Sequence, residues 1–367
     1  MRFKLLHPWL WVWSVAALLY GGAAGFASEP APSSKPLART AEPQQAYAHV
    51  ALLLPANSAA FGRPAEAVKN GFLAAAKAQG RNLLPIRLYP LTDDPQSAVA
   101  AYREALAAGA RIAVGPLTRD AVTALAASQA VTIPTLALNV PEGLSALPPN
   151  LYAFSLHAES EARQVARLAA REGRAYAMTM VADTPLSRRI HQAFIDEFTR
   201  SGGRHVAERA FTTDLIELSR IRQTVGKSGA DMAFLALDFP RARAVRPYLG
   251  ALPLYATSYI FPGNGGALVH FDLANVRFVD MPWVLQPDHP AVMIYPRPGF
   301  HANQELERLY ALGIDAFRIA LGLLEDKHEP LDGVTGRLTV GNNRYYVREL
   351  TRAQFADGKL VIYADSP

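Results

Sequence analysis

A strand–helix alternation that runs its course and then restarts is the feature that most limits what this chain can fold into. His49-Val-Ala-Leu-Leu-Leu-Pro55 is an unbroken apolar run closed by a proline, as expected of a strand buried on both faces of a parallel sheet. Ala65 to Gln79 then places apolar residues at 65, 68, 72, 75 and 76, one face of a helix. Strands are predicted at Leu83–Leu91, Arg111–Leu117, Pro134–Asn139 and Leu151–Leu156, with helices at Pro95–Ala108 and Arg119–Gln129. Glu161–Glu172 begins the second run as a helix. Strands Ala175–Asp183, His205–Phe211, Met232–Asp238, Leu254–Ser258 and Val276–Pro282 follow, with a long helix at Pro185–Ser201. Two such runs imply two parallel α/β lobes.

The tail does not continue the alternation. Asn303–Glu325 reads as a long helix, Val334–Val340 and Arg344–Leu350 as a hairpin about Gly341-Asn342-Asn343, and Lys359–Tyr363 as a last strand. That arrangement fits a chain crossing between lobes more than once. The expected division is 47–155 plus 284–326 for the first lobe and 156–283 plus 327–367 for the second.

The start of the chain has a different character. Arg2 and Lys4 precede an uncharged apolar run from Trp9 to Tyr20, and Gly25, Phe26 and Ala27 are small or apolar residues before Ser28. A signal peptide over 1–27 is expected, since an apolar core this short falls below the roughly 20 residues of a membrane span; an uncleaved anchor is the alternative. Residues 28–46, rich in Pro, Ala and Ser, read as a disordered linker. The sequence contains no cysteine. An exported chain of this kind has no disulfide, no thiolate metal site and no lipobox cysteine, so the expectation is a periplasmic protein that is not a lipoprotein.

Charge excludes little else. The formal net charge is +5 and drops to +3 without Arg2 and Lys4. The arginines are scattered, and no basic run with interleaved aromatics points to nucleic acid.

In an open α/β sheet ligands sit beyond the carboxyl ends of the strands. The polar residues there are Asn57, Ser58, Thr118, Asn139, Asp183, Thr184, Asp238, Ser258 and Asp280, and these are the ligand-cleft candidates. Thr118 with the amides before Arg119 suits a carboxylate, and Asp183, Asp238 or Asp280 suits an ammonium group. Together they would take an amino-acid-like ligand. Thr118, Asp183/Thr184 and Asp238 also read as helix caps, the latter two beside Pro185 and Pro240, and Asn139 as a turn residue. Asp280 has no evident helix to cap. Arg163, Arg167 and Arg171 share one helix face at i, i+4, i+8; they are candidates for a partner face or form a solvated face with Glu159 supporting Arg163.

Several blocks carry a resemblance. Leu52-Leu-Leu-Pro55, Gly62, Gly71-Phe72 and Gly115-Pro116-Leu117-Thr118 resemble the opening of type I periplasmic binding proteins. Leu136–Asn139, Phe154–Glu159 running into Glu161–Ala166, Leu254–Ser258, Asp280–Trp283, Leu309–Ala316 and Asp332–Leu338 are similar to the penicillin-binding-protein activator family (LppC/LpoA type). The blocks fall in order from about His49 to Tyr363. This resemblance implies a two-lobed type I periplasmic-binding-protein-like fold, each lobe a parallel-rich sheet flanked by helices, with three crossovers. It implies as partner a class A penicillin-binding protein that polymerises and crosslinks peptidoglycan. This sequence holds no cysteine to serve as the family's lipobox residue, and the family's helical-repeat N-terminal domain is not expected within residues 1–367.

Catalytic and cofactor motifs are missing. Lys227-Ser228-Gly229 lacks a companion Ser-x-x-Lys, and no Gly-x-Ser-x-Gly occurs. Gly263-Asn-Gly-Gly266 lacks the strand–helix setting of a phosphate loop. His157 with Glu161 and His301 with Glu305 are single i, i+4 pairs, short of the three or four ligands a metal needs. The expectation is a binder with no enzymatic activity, cofactor or metal: either a regulator of peptidoglycan synthesis, or a solute-binding receptor of an ABC-type transporter for an amino-acid-like or peptide ligand. Pro287–Phe300, with Met293, Tyr295 and Phe300, is either an exposed contact segment or an ordinary lobe-crossing loop.

Overall fold

The computed structural model describes residues 47–80, 83–144, 146–263, 267–300 and 303–363. The signal peptide and linker, the centre of the Gly263–Gly266 loop, and His301 lie outside them. All described residues fall in one compact unit, 45–367.

The first lobe is a five-stranded sheet in the order β2-β1-β3-β4-β5, all parallel. Its elements alternate as expected: β1 (His49–Leu54), α1 (Gly62–Gln79), β2 (Ile86–Pro90), α2 (Gln96–Ala107), β3 (Ala110–Val114), α3 (Arg119–Ala127), β4 (Thr135–Ala137) and β5 (Leu151–Ala153). Strand β1 is central and buried at every position, which is why its sequence shows no polar alternation. At the end of β3, Gly115 has φ +108°, and a Cβ there would lie 2.0 Å from the Leu53 carbonyl oxygen. Only glycine fits so close a turn.

The second lobe carries α4 (Ala158–Arg171), β6 (Tyr176–Val181), α5 (Pro185–Arg200), β7 (Arg204–Ala210), α6 (Leu215–Lys227), β8 (Met232–Ala236), α7 (Phe239–Val245), β9 (Leu254–Ala256), α8 (Ala267–Asp272) and β10 (Val276–Asp280). The chain then passes through two single turns, α9 (Pro282–Leu285) and α10 (Pro290–Met293), to the long helix α11 (Gln304–Leu324), which packs along α1 of the first lobe. It continues through β11 (Leu331–Gly333), β12 (Gly336–Val340) and β13 (Tyr346–Glu349) to β14 (Thr351–Ala356) and β15 (Lys359–Ile362). The second sheet runs β15-β14-β10-β9-β8-β6-β7, with β14 antiparallel to both its neighbours, β10 and β15, and the remaining pairs parallel. The chain therefore passes between the lobes three times.

Two details differ from the sequence expectation. Residues 331–349 form a separate three-stranded antiparallel sheet. It touches the first lobe through the Ala153–Tyr345 bridge and the second through Arg348 and Glu161. Strand β14 went unread because only Ala353 and Phe355 of its six residues are buried, too sparse a period to register.

The helices start where capping chemistry lets them. Thr184 caps α5 by accepting from the Ser187 amide, Asp214 caps α6 through Ile216 and Glu217, and Asn303 caps α11 through Glu305 and Leu306. We expect Thr184→Ala to cost about 1 kcal/mol, read as a lower urea midpoint at unchanged slope. No change would mean that water serves the Ser187 amide equally well.

One apolar cluster joins the lobes. It extends from Leu52 and Phe72 in the first lobe, through Trp283, Tyr310 and Leu312, to Val165, Phe194 and Phe234 in the second. Trp283 is fully buried; its indole N–H donates to Glu307 (2.9 Å), and Arg297 lies 4.1 Å above the ring.

Candidate functional site

A cleft of about 750 Å³ opens at the carboxyl ends of the first sheet. The loops after β1 to β5 each contribute to it, through Phe61, Asp93, Thr118, Asn139 and His157. Leu309 and Leu312 of α11 supply apolar lining, and Leu186 and Arg189 of α5 close it from the second lobe. Position and size are those of a small-molecule site.

Its charged wall is a chain of three side chains. Arg189 donates to Glu159 (2.8 Å), and His157 Nε2 lies 3.2 Å from the other Glu159 oxygen. Burial pushes the His157 imidazole down, aided by Arg163, Arg119 and Arg189 and opposed by Glu159. Burial alone would raise Glu159, but His157, Arg189 and a backbone amide outweigh it and hold the carboxyl below its ordinary range. Opposite, Thr118 occupies the cap position of α3 without a side-chain capping bond. Thr118 and the first turn of α3, Arg119 to Ala121, line the cleft, and a helix N-terminus is suited to an anionic group.

Of the nine residues expected at strand ends, Thr118 and Asn139 line this cleft and the other seven do not. Asn139 is held in a turn, donating to the Leu117 carbonyl and accepting from the Val140 amide. Ser58 accepts from Phe61 N at the start of α1, and Asn57 is exposed, its amide bound to Leu91 O. Thr184 and Asp238 are caps, Asp238 pairing also with Arg241, and Asp183 is an exposed partner of Arg188. Nothing in the sequence marks His157, Glu159 and Arg189 as a unit, because Arg189 comes from a helix 30 residues beyond Glu159.

Ser258 and Asp280 belong to a buried junction between the lobes. Arg308 reaches from α11 to Asp280 at the end of β10, with bonds of 2.6 and 3.2 Å, and to the carbonyls of Ser258 and Phe261. The Ser258 amide donates to Glu161 of α4, which pairs with Arg348 of β13 at 3.3 Å. Arg348 also donates to the carbonyls of Ser155 and Thr335. Burial drives the Glu161 carboxyl up, Arg348 opposes, and Asp280 adds to the rise. Asp280 thus has a cationic partner from its own chain.

The helix-face arginines do not form the pairing expected of them. Glu159 turns to Arg189 and His157 instead of Arg163, and Arg167 pairs with Glu197. Arg167 and Arg171 line a recess of about 250 Å³ with Arg337, Arg348, Glu349 and Arg352; of these, Arg167 pairs with Glu197 and Arg348 with Glu161. In the Pro287–Phe300 segment, Met293 and Ile294 are strongly exposed, whereas Tyr295 and Phe300 pack against the core.

The family model described as "LppC putative lipoprotein" matches residues 39–358. The chain belongs to the LppC family. Among LppC relatives, the penicillin-binding protein activator LpoA of Yersinia pseudotuberculosis is 27% identical over 327 residues, covering 75% of this chain and 49% of its own length. The chain spans about half the length of the curated relatives it matches. Among solved structures, one described as a putative branched-chain amino acid ABC transporter from Chromobacterium violaceum is 40% identical, with TM-score 0.72 over 84% of this chain and 99% of that one. The LpoA C-domain of Haemophilus influenzae, described as a regulator of PBP1A, is 22% identical, with TM-score 0.72 over 86% of this LppC chain and all of that one. The fold is that of type I periplasmic binding proteins.

Proposed function

We propose that this chain is a non-catalytic periplasmic regulator of peptidoglycan synthesis that acts by binding a class A penicillin-binding protein. The observation that carries the reading is membership of the LppC family with relatives named as activators of penicillin-binding proteins. The lobe junction supports it over a receptor role. A solute receptor works by closing its lobes on a ligand; here the buried Arg308–Asp280 ion pair joins α11 of the first lobe to β10 of the second, and the buried Arg348–Glu161 pair fixes the three-stranded sheet to the second lobe. Periplasmic location rests on the export signal read in residues 1–27. Among the described residues no helix is long and apolar enough to cross a membrane.

The contact face we propose is the arginine-lined recess, which suits an acidic segment of the partner. Affinity capture of the chain from a detergent-solubilised envelope of the source organism should enrich a class A penicillin-binding protein. Arg337→Glu, an exposed change in the recess, should weaken that binding by more than about tenfold and reduce its salt dependence. Capture that recovers no peptidoglycan synthase would overturn the reading.

The second reading, a receptor for an amino-acid-like ligand, is favoured by the size of the cleft and by the likeness to the Chromobacterium structure. Co-purification of a small molecule, or of a transporter permease, would establish it in place of the first.

A further inference from the structure

We infer that His191, His205 and Glu208 form a binding site for one divalent metal ion of the zinc class, at the β7 edge of the second sheet. The three residues each offer one ligand atom, and these atoms lie within 4.8 Å of one another. His191 Nε2 is 3.4 Å from Glu208 Oε2. Two ligands at about 2.0–2.1 Å on a tetrahedral ion stand roughly 3.3–3.4 Å apart, so this pair already has the required separation.

A fault in the sheet brings the set together. Strand neighbours three apart normally face opposite sides, and His205 and Glu208 are three apart. The register between β6 and β7 shifts, pairing Ala177 with His205 and Thr179 with Glu208. The extra residue at Val206 puts both ligands on the face that α5 covers with His191. Bulges of this kind re-aim side chains next to functional sites. The sequence showed only scattered histidines because the spacing that matters is set by the bulge and by a helix packed across it.

The imidazoles converge as well. Both His191 Nε2 and His205 Nε2 lie 3.0 Å from the Thr179 hydroxyl. A hydroxyl has one proton, so it donates to one ring nitrogen and accepts from the other. Without an ion, one imidazole must carry its proton on Nε2; with an ion, both present a lone pair. Two imidazoles and a carboxylate leave a fourth tetrahedral position for water. The donor set, with no thiolate in the chain, favours zinc and its neighbours over magnesium or calcium. Glu208 is exposed and provides the path in.

The test uses the full chain, untagged and freed of metal with a chelator, titrated calorimetrically with zinc chloride and melted with and without zinc. One equivalent should bind per chain, and the melting temperature should rise with zinc and fall back with chelator. Magnesium should do neither. Removing His191 risks the fold because it is buried, so the informative changes are His205→Ala and Glu208→Gln, on half-buried and exposed residues. Each should weaken zinc binding by more than about tenfold with unchanged circular dichroism. Absence of zinc binding, or binding that survives both changes, would overturn the site and leave the cluster as a hydrogen-bonded pair about Thr179.

Discussion

Replacing Arg308 with alanine is expected to destabilise the protein by about 3–5 kcal/mol. The reason is what the change leaves behind. Asp280 is almost fully buried, and its remaining hydrogen bond comes from its own neighbour, the Met281 amide. The carbonyls of Ser258 and Phe261 lose a donor at the same time. An unpaired buried carboxylate costs far more than an unmade surface pair, because no solvent replaces the lost cation. Chemical unfolding of Arg308→Ala measures this directly. Pairing it with Asp280→Ala should recover part of the loss, since removing both charges relieves the orphan. A single-variant loss below about 1 kcal/mol would mean that water reaches Asp280 and that the junction is looser than its geometry.

Gly313→Ala should be comparably severe, at about 3 kcal/mol or more. The Cβ it adds would lie 2.1 Å from the Val68 carbonyl oxygen on α1. From the other side, a Cβ on Gly71 would lie 1.9 Å from the Tyr310 carbonyl oxygen on α11. The two backbones approach too closely for any side chain, so the helices must separate, disturbing the edge-on contact of Phe72 and Phe317, now 5.2 Å between centroids. A control lies on α6, where a Cβ on Gly226 meets nothing within 4 Å. Gly226→Ala should stabilise by up to about 1 kcal/mol, because alanine loses less backbone freedom on folding. Equal small effects at both positions would contradict the close helix contact.

The strand ends were legible in the sequence because proximity to a strand is local. The unbroken apolar run of β1 and the proline-led start of α5 each announce themselves within a few residues. The partners of those strand ends were not legible, because they arrive from elsewhere in the chain. Asp280 looked available until Arg308 came back from the next long helix, and Glu161 is met by Arg348 from 187 positions away. Thr118 and Asn139 were placed at the cleft by the rule for open sheets, whereas Arg189 reaches it only through the packing of the second lobe. Burial works the same way: the sparse period of β14 hid a strand that is secured by its neighbour β10 and not by its own pattern.

The close approach of α1 and α11 at Gly71 and Gly313 joins positions 242 residues apart, with the strands of the second lobe up to β10 lying between them. The first five strands are all made by residue 153, yet the helix that covers α1 is not in hand until 304–324. The second sheet likewise receives β14 and β15 only at the end. A chain emerging from its amino end therefore holds the apolar face of Val68 and Phe72 uncovered for most of its length. Contacts of such long range form slowly, and unfinished apolar faces are where folding intermediates stick to one another. The first lobe lacks its covering helix until α11 and the second lacks two strands until the chain's end, so a chain cut short before α11 would leave two unfinished lobes.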